Sequence, residues 1–294
     1  MPKTHPTDTP SDLLPAEGGA GMARGFARLD TLPFPPFREG EVWLTGAGPG
    51  APGLLTLLAY HALQQADVIV HDALVSAAVL DLAPQETERI AAGKRGGDAA
   101  SVPQEEITAL LIDLARKKRR VLRLKGGDPY LFGRGVEEAL ALAKAGIPFR
   151  IVPGIAAGIG GLAYAGVPVT AKDINSSVLF LTGHDKRGEL PPADWQAIAR
   201  AGEVIVLYMG LRPLARIAKA LIAAGRKGET PVLILSRLTL PDQQVREMTL
   251  AEIAHARLAM TDIARPALVV IGEAGRHRAL LDWFTQQAKE LPLG

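Results

Sequence analysis

Gly48, Gly50 and Gly53 follow the apolar segment Val42-Trp43-Leu44 and spell G-x-G-x-x-G, and Asp72 ends a second apolar segment, Asp67–His71, about twenty residues on. In an open α/β sheet this layout suits a dinucleotide: glycines admit a pyrophosphate and the acid holds ribose hydroxyls. The same turn also reads as G-x-G-x-G, a spelling common in methyltransferases that use a nucleoside cofactor. Pro49 and Pro52 oppose a pyrophosphate, because each removes a backbone N–H that a phosphate would need. A tight strand-to-helix turn with Pro52 entering the helix accounts for the prolines better.

A second glycine turn lies in VLRLKGGDPYLFGRG, Val121 to Gly135. No G-K-[ST] follows Gly126-Gly127-Asp128, so it is not a Walker loop. It reads either as a plain turn capped by Asp128 or as bare backbone lying against a cofactor. Two glycine turns at neighbouring strand ends favour a ligand. Asp72 stays open between a functional carboxylate and the N-cap of a helix beginning near Leu74. His71 and Asp72 point to opposite faces of a strand, which makes His71 a packing residue. Lys94-Arg95 reads as a solvated loop pair, Arg116 to Arg120 as a solvated helix end favoured by the helix dipole, and Met209 as core. The six histidines show no metal-ligand spacing, so no metal is expected.

These turns need a scaffold. Residues 1–37, rich in Pro, Thr, Asp and Gly, read as a disordered tail. Strands are expected at Val42–Thr45, Asp67–His71, Glu88–Ala92, Val121–Leu124 and Phe149–Val152. Helices fall between them at Leu54–Gln65, Leu74–Leu82, from a Ser101 cap to Arg116, and at Glu137–Ala145. Pro153-Gly154 opens a crossing into the small-sided segment Ile155–Gly166. The rhythm then repeats, with strands Val178–Thr182, Val204–Met209, Val232–Leu235 and Ala267–Ile271. Their helices are Ala193–Ala201, Leu214–Ala224, Leu250–Leu258 and a final one, with His184 to Pro192 as a polar loop. Strand–helix alternation predicts an α/β fold with mostly parallel sheets. The expected organisation is a tail (1–37), an N-terminal α/β domain (38–152) and a C-terminal α/β domain (153–294).

Composition narrows the function. Of 294 residues, 48% are hydrophobic and 22% charged, enough for a substantial core. With no cysteine, disulfides and thiolate chemistry are excluded and a cytoplasmic setting is consistent. A net charge of +2 gives no case for nucleic acid. Ile155–Thr170 is too short and glycine-rich to span a bilayer, so no membrane partner is expected.

GAGPGAPGLLTLLA, ADVIVHDALVS, AGKRGG, SVPQEEI, RLKGGDPYLFGRG, GIPFRIVPGI, TGH and YMG occur here in that order. In these segments, over roughly Val42 to Glu273, the chain resembles the uroporphyrinogen-III C-methyltransferases of the tetrapyrrole methylase superfamily. The resemblance implies two α/β domains with S-adenosylmethionine in the cleft between them, and a homodimer. It implies two C-methylations of uroporphyrinogen III, giving precorrin-2 for sirohaem or cobalamin synthesis. Asp72 matches the family's proton acceptor and Lys94 its proton donor. Pro49, Gly126, Gly127, Asp128, Leu131, Ala156, Ala157, Met209 and Leu238 match cofactor positions. Ala156-Ala157 replaces a common Thr-Ser, so contacts there are backbone or apolar. Leu238 replaces a glycine and contacts only through its main chain. Ala73 and His71 stand where many relatives have arginine and tyrosine. The substrate's eight carboxylates make Lys94, Arg95, Arg134 and Lys172 candidates to bind it. No dehydrogenase–chelatase module is visible, which implies the stand-alone form of the enzyme.

Overall fold

A computed structural model describes residues 31–92, 102–183, 192–255 and 262–290. The chain forms two compact units, Met1–Pro36 and Phe37–Gly294, and the second carries every strand described here. Phe37, placed in the tail by composition, is buried and stacks on Trp43 at 4.5 Å. Residues 1–30 of the expected tail lie outside the described residues.

The first half begins with β1 (Val42–Gly46), buried at all five positions. Pro52–Leu54 makes a 3-10 turn with Pro52 as its first residue. Helix α1 (Leu57–Gln65) starts later than expected, because the Thr56 side chain accepts the Ala59 N–H and caps it there. Next come β2 (Val68–His71), α2 (Ala77–Leu80), β3 (Glu88–Ala91), α3 (Gln104–Arg116), β4 (Val121–Lys125), α4 (Gly135–Lys144) and β5 (Phe149–Val152). Ser101, the expected cap of α3, lies outside the described residues. The small-sided segment after Gly154 is a π-helical turn, Ala157–Gly161, running into α5 (Leu162–Tyr164). The second half contains β6 (Val178–Thr182), α6 (Trp195–Ala201), β7 (Val204–Tyr208), α7 (Leu214–Ala223), β8 (Pro231–Ser236), β9 (Gln244–Thr249), α8 (Leu250–His255) and β10 (Ala267–Ile271). Helices α9 (Arg278–Leu281) and α10 (Trp283–Glu290) close the chain.

The first sheet has the order β3-β2-β4-β1-β5 with every neighbour parallel. Alternation divides its apolar residues between two faces. Trp43, Ile69, Leu122 and Leu124 pack with Ala59, Ala62 and Leu63 of α1. Val42, Leu44, Val70 and Val121 pack with Ile107 and Leu111 of α3 and with Ala139 and Leu142 of α4. The adjacent strands β1 and β4 therefore send their following helices to opposite faces. Their carboxyl ends flank a crevice, the usual ligand position in an open α/β sheet. Both glycine turns sit there.

The second sheet has the order β6-β7-β10-β8-β9, and only β6 and β7 are parallel. The expectation of parallel pairing thus holds for the first sheet and is corrected for the second, which is mixed. Strand β9 was not visible in the sequence: QVREMT is an edge strand, polar and largely exposed. It follows β8 after a short turn, and such a connection pairs strands antiparallel. Ile205, Leu207, Ile234 and Val269 face α7 and α8, while Val206, Leu235, Val270 and Leu238 face Leu162 and Val167.

Candidate active site

The two glycine turns are hydrogen-bonded to each other. Gly127 N donates to Gly48 O at 2.7 Å, and Gly48 N to Gly127 O at 3.2 Å. Gly48 (φ 72°) and Gly127 (φ 69°) are left-handed, a conformation that only glycine adopts freely. A Cβ on Gly46 would fall 2.5 Å from both Gly127 O and Gly154 Cα, so three backbones converge behind the turns. Asp128 fastens the junction: Oδ1 accepts from Tyr130 N at 2.8 Å and Oδ2 from Gly154 N at 3.0 Å. It is the turn cap expected of it, and it also ties the second turn to the start of the second half.

The second half contributes three segments. A Cβ on Gly127 would lie 3.9 Å from Ala156 Cα and Ala157 N, in open van der Waals contact. The π turn is held from below, where Gly158 N donates to the Tyr208 hydroxyl at 2.8 Å. Burial pushes the Tyr208 phenol up, against the opposing Gly158 bond, and the Asp128 charge pushes it further the same way. Phe132, beyond the second turn, packs on the Tyr208 ring at 5.0 Å. Met209, expected as core, is 45% exposed and left-handed (φ 53°) at the end of β7. Leu238 is buried against Gly161, so its side chain faces the protein and leaves its main chain for contact. Beside it, Thr239 Oγ1 accepts from Ala51 N at 3.0 Å, joining the first turn to the second half. Pro49 and Leu131 are half-buried along the same loops.

Asp72 does not cap a helix. Ser76 caps α2, its hydroxyl accepting from Val79 N while donating to Gly50 O. The Asp72 carboxylate instead pairs through Oδ1 with Arg123 Nη2, and its Oδ2 lies 3.7 Å from Lys125 Nζ. Both cations are almost wholly buried, as is Glu138 on α4. Glu138 Oε1 accepts from Arg123 Nε at 3.1 Å, Lys125 Nζ at 3.0 Å and Gln104 Nε2 at 2.9 Å. Two buried cations are thus matched by two carboxylates, and Asp72, with its side chain 25% exposed, meets solvent. The sequence reading missed Arg123, Lys125, Glu138 and Gln104. The available signal was the alternation Leu-Arg-Leu-Lys in a central strand, which must bury its charges and so requires an acid nearby.

Other sequence expectations fare differently. Lys94 and Arg95 lie outside the described residues. Arg134 pairs on the surface with Glu137 at 2.6 Å, and Lys172 is exposed. The basic helix end is ion-paired, with Arg120 on Asp67, Arg119 on Glu88 and Lys117 on Asp113. Among the described residues no metal-ligand cluster occurs, and no helix is long and apolar enough to cross a membrane.

The arrangement is that of an α/β enzyme with two five-stranded sheets, two glycine turns at the strand ends of the first and one anchored carboxylate beside them. The family described as Tetrapyrrole (Corrin/Porphyrin) Methylases matches residues 41–254, and the chain belongs to that family. It is 54% identical over 252 residues to a uroporphyrinogen-III C-methyltransferase from Sinorhizobium sp, covering 85% of this chain and 89% of that protein. It is 51% identical to siroheme synthase 1 of Yersinia enterocolitica, over 85% of this chain but 52% of that longer protein. Among solved structures, uroporphyrin-III C-methyl transferase from Thermus thermophilus complexed with S-adenyl homocysteine superposes with a TM-score of 0.69. The identity is 38%, over 80% of this chain and 99% of that one.

Proposed function

We propose that the protein methylates uroporphyrinogen III at two ring positions, using S-adenosylmethionine, to give precorrin-2 for sirohaem or cobalamin synthesis. The observation that carries this reading is the anchored carboxylate of Asp72, held at the end of β2 beside the strand end from which the second glycine turn leaves. The chain's residues fit the cofactor. Gly127 brings bare backbone to the Ala156-Ala157 segment, where a Cβ would already stand 3.9 Å from Ala156 Cα, and Pro49 and Pro52 do not matter to a nucleoside without phosphates. S-adenosylmethionine, when bound, supplies an electrophilic methyl on a sulfonium.

In this reading Pro49, Gly126, Gly127 and Asp128 line one side of the cofactor. Ala156, Ala157, Met209 and the Leu238 main chain line the other. The segments position donor and pyrrole carbon in line and exclude water, the main contributions available for such a transfer. Methylation of the electron-rich carbon leaves the macrocycle with one proton too many. Asp72 accepts that net proton, and Lys94, at the family's proton-donor position, would return a proton to the ring only where a further one leaves it as the double bonds rearrange. The same reading makes the protein cytoplasmic and a homodimer, which sedimentation at twice the monomer mass checks.

The test is anaerobic incubation with uroporphyrinogen III and S-adenosylmethionine, followed by mass analysis of the tetrapyrrole. Two added methyl groups are expected, and Asp72→Ala is expected to slow turnover by about 100-fold or more. No methylation by wild-type protein with substrate proven active overturns the reading. Full turnover in both Asp72→Ala and Lys94→Ala removes the proton roles and leaves the methylase.

A further inference from the structure

We propose that Glu138 is a positioning residue that keeps one oxygen of Asp72 free for the reaction by holding Lys125 away from it. The inference rests on Asp72 being the proton acceptor. Asp72 Oδ1 is taken by Arg123. Its Oδ2 has Lys125 Nζ as neighbour at 3.7 Å, beyond hydrogen-bond reach. The same Nζ lies 3.0 Å from Glu138 Oε1. The lysine thus stands between two carboxylates and bonds the buried one, leaving Oδ2 without its hydrogen bond on a side chain that is 25% exposed.

The placement of Glu138 is specific. It is wholly buried, and a single oxygen collects all three donors while Oε2 has no partner. Arg123 and Lys125 immediately precede the glycine turn. Glu138 lies just beyond its far end, on a helix whose first residue, Gly135, donates to Pro129 O at 3.0 Å. The carboxylate therefore closes the loop that carries the turn and sets where both cations point. Without its charge, two buried cations face one acid. A lysine ammonium is mobile on its stem and moves to the remaining carboxylate. Oδ2 then carries a charge-assisted bond at about 2.8 Å, which takes one of its lone pairs and sets an ammonium charge against transfer of a substrate proton to it.

Three proteins decide this: wild type, Glu138→Gln and Glu138→Gln/Lys125→Met, each with S-adenosylhomocysteine affinity measured to report an intact cofactor site. Glu138→Gln is expected to lower kcat at least about tenfold, with KM and cofactor affinity changed less than about threefold. Removing the freed cation restores the balance, so the double variant is expected to return kcat to within about fivefold of wild type. A crystal structure of Glu138→Gln is expected to show Lys125 bonded to Asp72 Oδ2. This structural readout needs no substrate, so it stands apart from any failure of the methylation assay. Wild-type kcat in Glu138→Gln, or a double variant as slow as the single, overturns the proposal. So does a Glu138→Gln structure with Lys125 unmoved. If Glu138→Gln fails to fold, the charge-balanced double variant decides alone: folded but more than about 100-fold slower than wild type, it sinks the proposal.

Discussion

At the scale of single residues, the parts legible in sequence were those whose chemistry is local. A glycine turn announces itself because no other residue fits its backbone, and Asp128 was readable as a turn cap. Asp72 was not decidable locally, since an acid after a strand serves equally as a cap. Its partner Arg123 is 51 residues away in sequence, and only strand pairing brings the two together. Tyr208 was invisible for the same reason. Its hydroxyl matters because the π turn leaves Gly158 N without a backbone acceptor, and Tyr208 supplies one. Tyr208→Phe keeps the ring against Phe132 and removes that acceptor. We expect S-adenosylhomocysteine affinity to fall about five- to tenfold, on the order of 1 kcal/mol for one lost bond, with the thermal midpoint shifted by a few degrees at most. Calorimetric titration of the two proteins measures it. Unchanged affinity would mean that the π turn does not touch the cofactor.

Among elements, apolar runs such as Val42–Leu44 and Ala267–Ile271 were readable because strands buried on both faces must be hydrophobic throughout. Strand β9 failed that criterion, since one of its sides is solvent. The helix expected from Leu54 broke at Thr56, where a hydroxyl takes the backbone's place. The basic run after α3 is a fastening between strands. Arg120 pairs with Asp67 in two-pronged fashion, and Asp67 Oδ2 also accepts Arg120 N at 2.8 Å. This locks the entry of β2 to that of β4. The Arg120 hydrogen bond outweighs burial and holds the Asp67 carboxyl below its ordinary value of 3.8. A depressed carboxyl contributes stability above its unfolded value, and that contribution is lost as pH falls through the folded value. Asp67→Asn is therefore expected to cost about 1 kcal/mol at pH 7, as a partly exposed pair does. The gap from wild type should close as pH drops below 3.8. Urea unfolding of both proteins across that range is the check, and a gap that widens in acid contradicts the assignment.

For the molecule as a whole, the repeated strand–helix rhythm revealed two α/β halves but not how they are joined. Chain continuity at Pro153-Gly154 is one link, and Asp128 reinforces it from the second turn. A separate link is made by the first turn, where Thr239 Oγ1 accepts Ala51 N and the neighbouring Leu240 packs on Gly50. Thr239 is nearly buried and holds φ at 68°, an unfavourable backbone for a β-branched residue. Such strain persists where the surroundings over-determine it, and it clusters at ligand clamps. The bond to Ala51 is what Thr239 gains by holding that conformation, and it fixes the distance across the crevice. Thr239→Ser keeps the hydroxyl and relaxes the backbone, so stability and S-adenosylhomocysteine affinity should stay near wild type. Thr239→Val keeps the shape and the strain but leaves Ala51 N without its acceptor. It should lose about 2 kcal/mol of stability and bind the cofactor product on the order of tenfold more weakly. If Thr239→Val is destabilised yet binds as tightly as wild type, the link supports the fold without setting the crevice. Weaker binding that Thr239→Ser does not share assigns it the clamp.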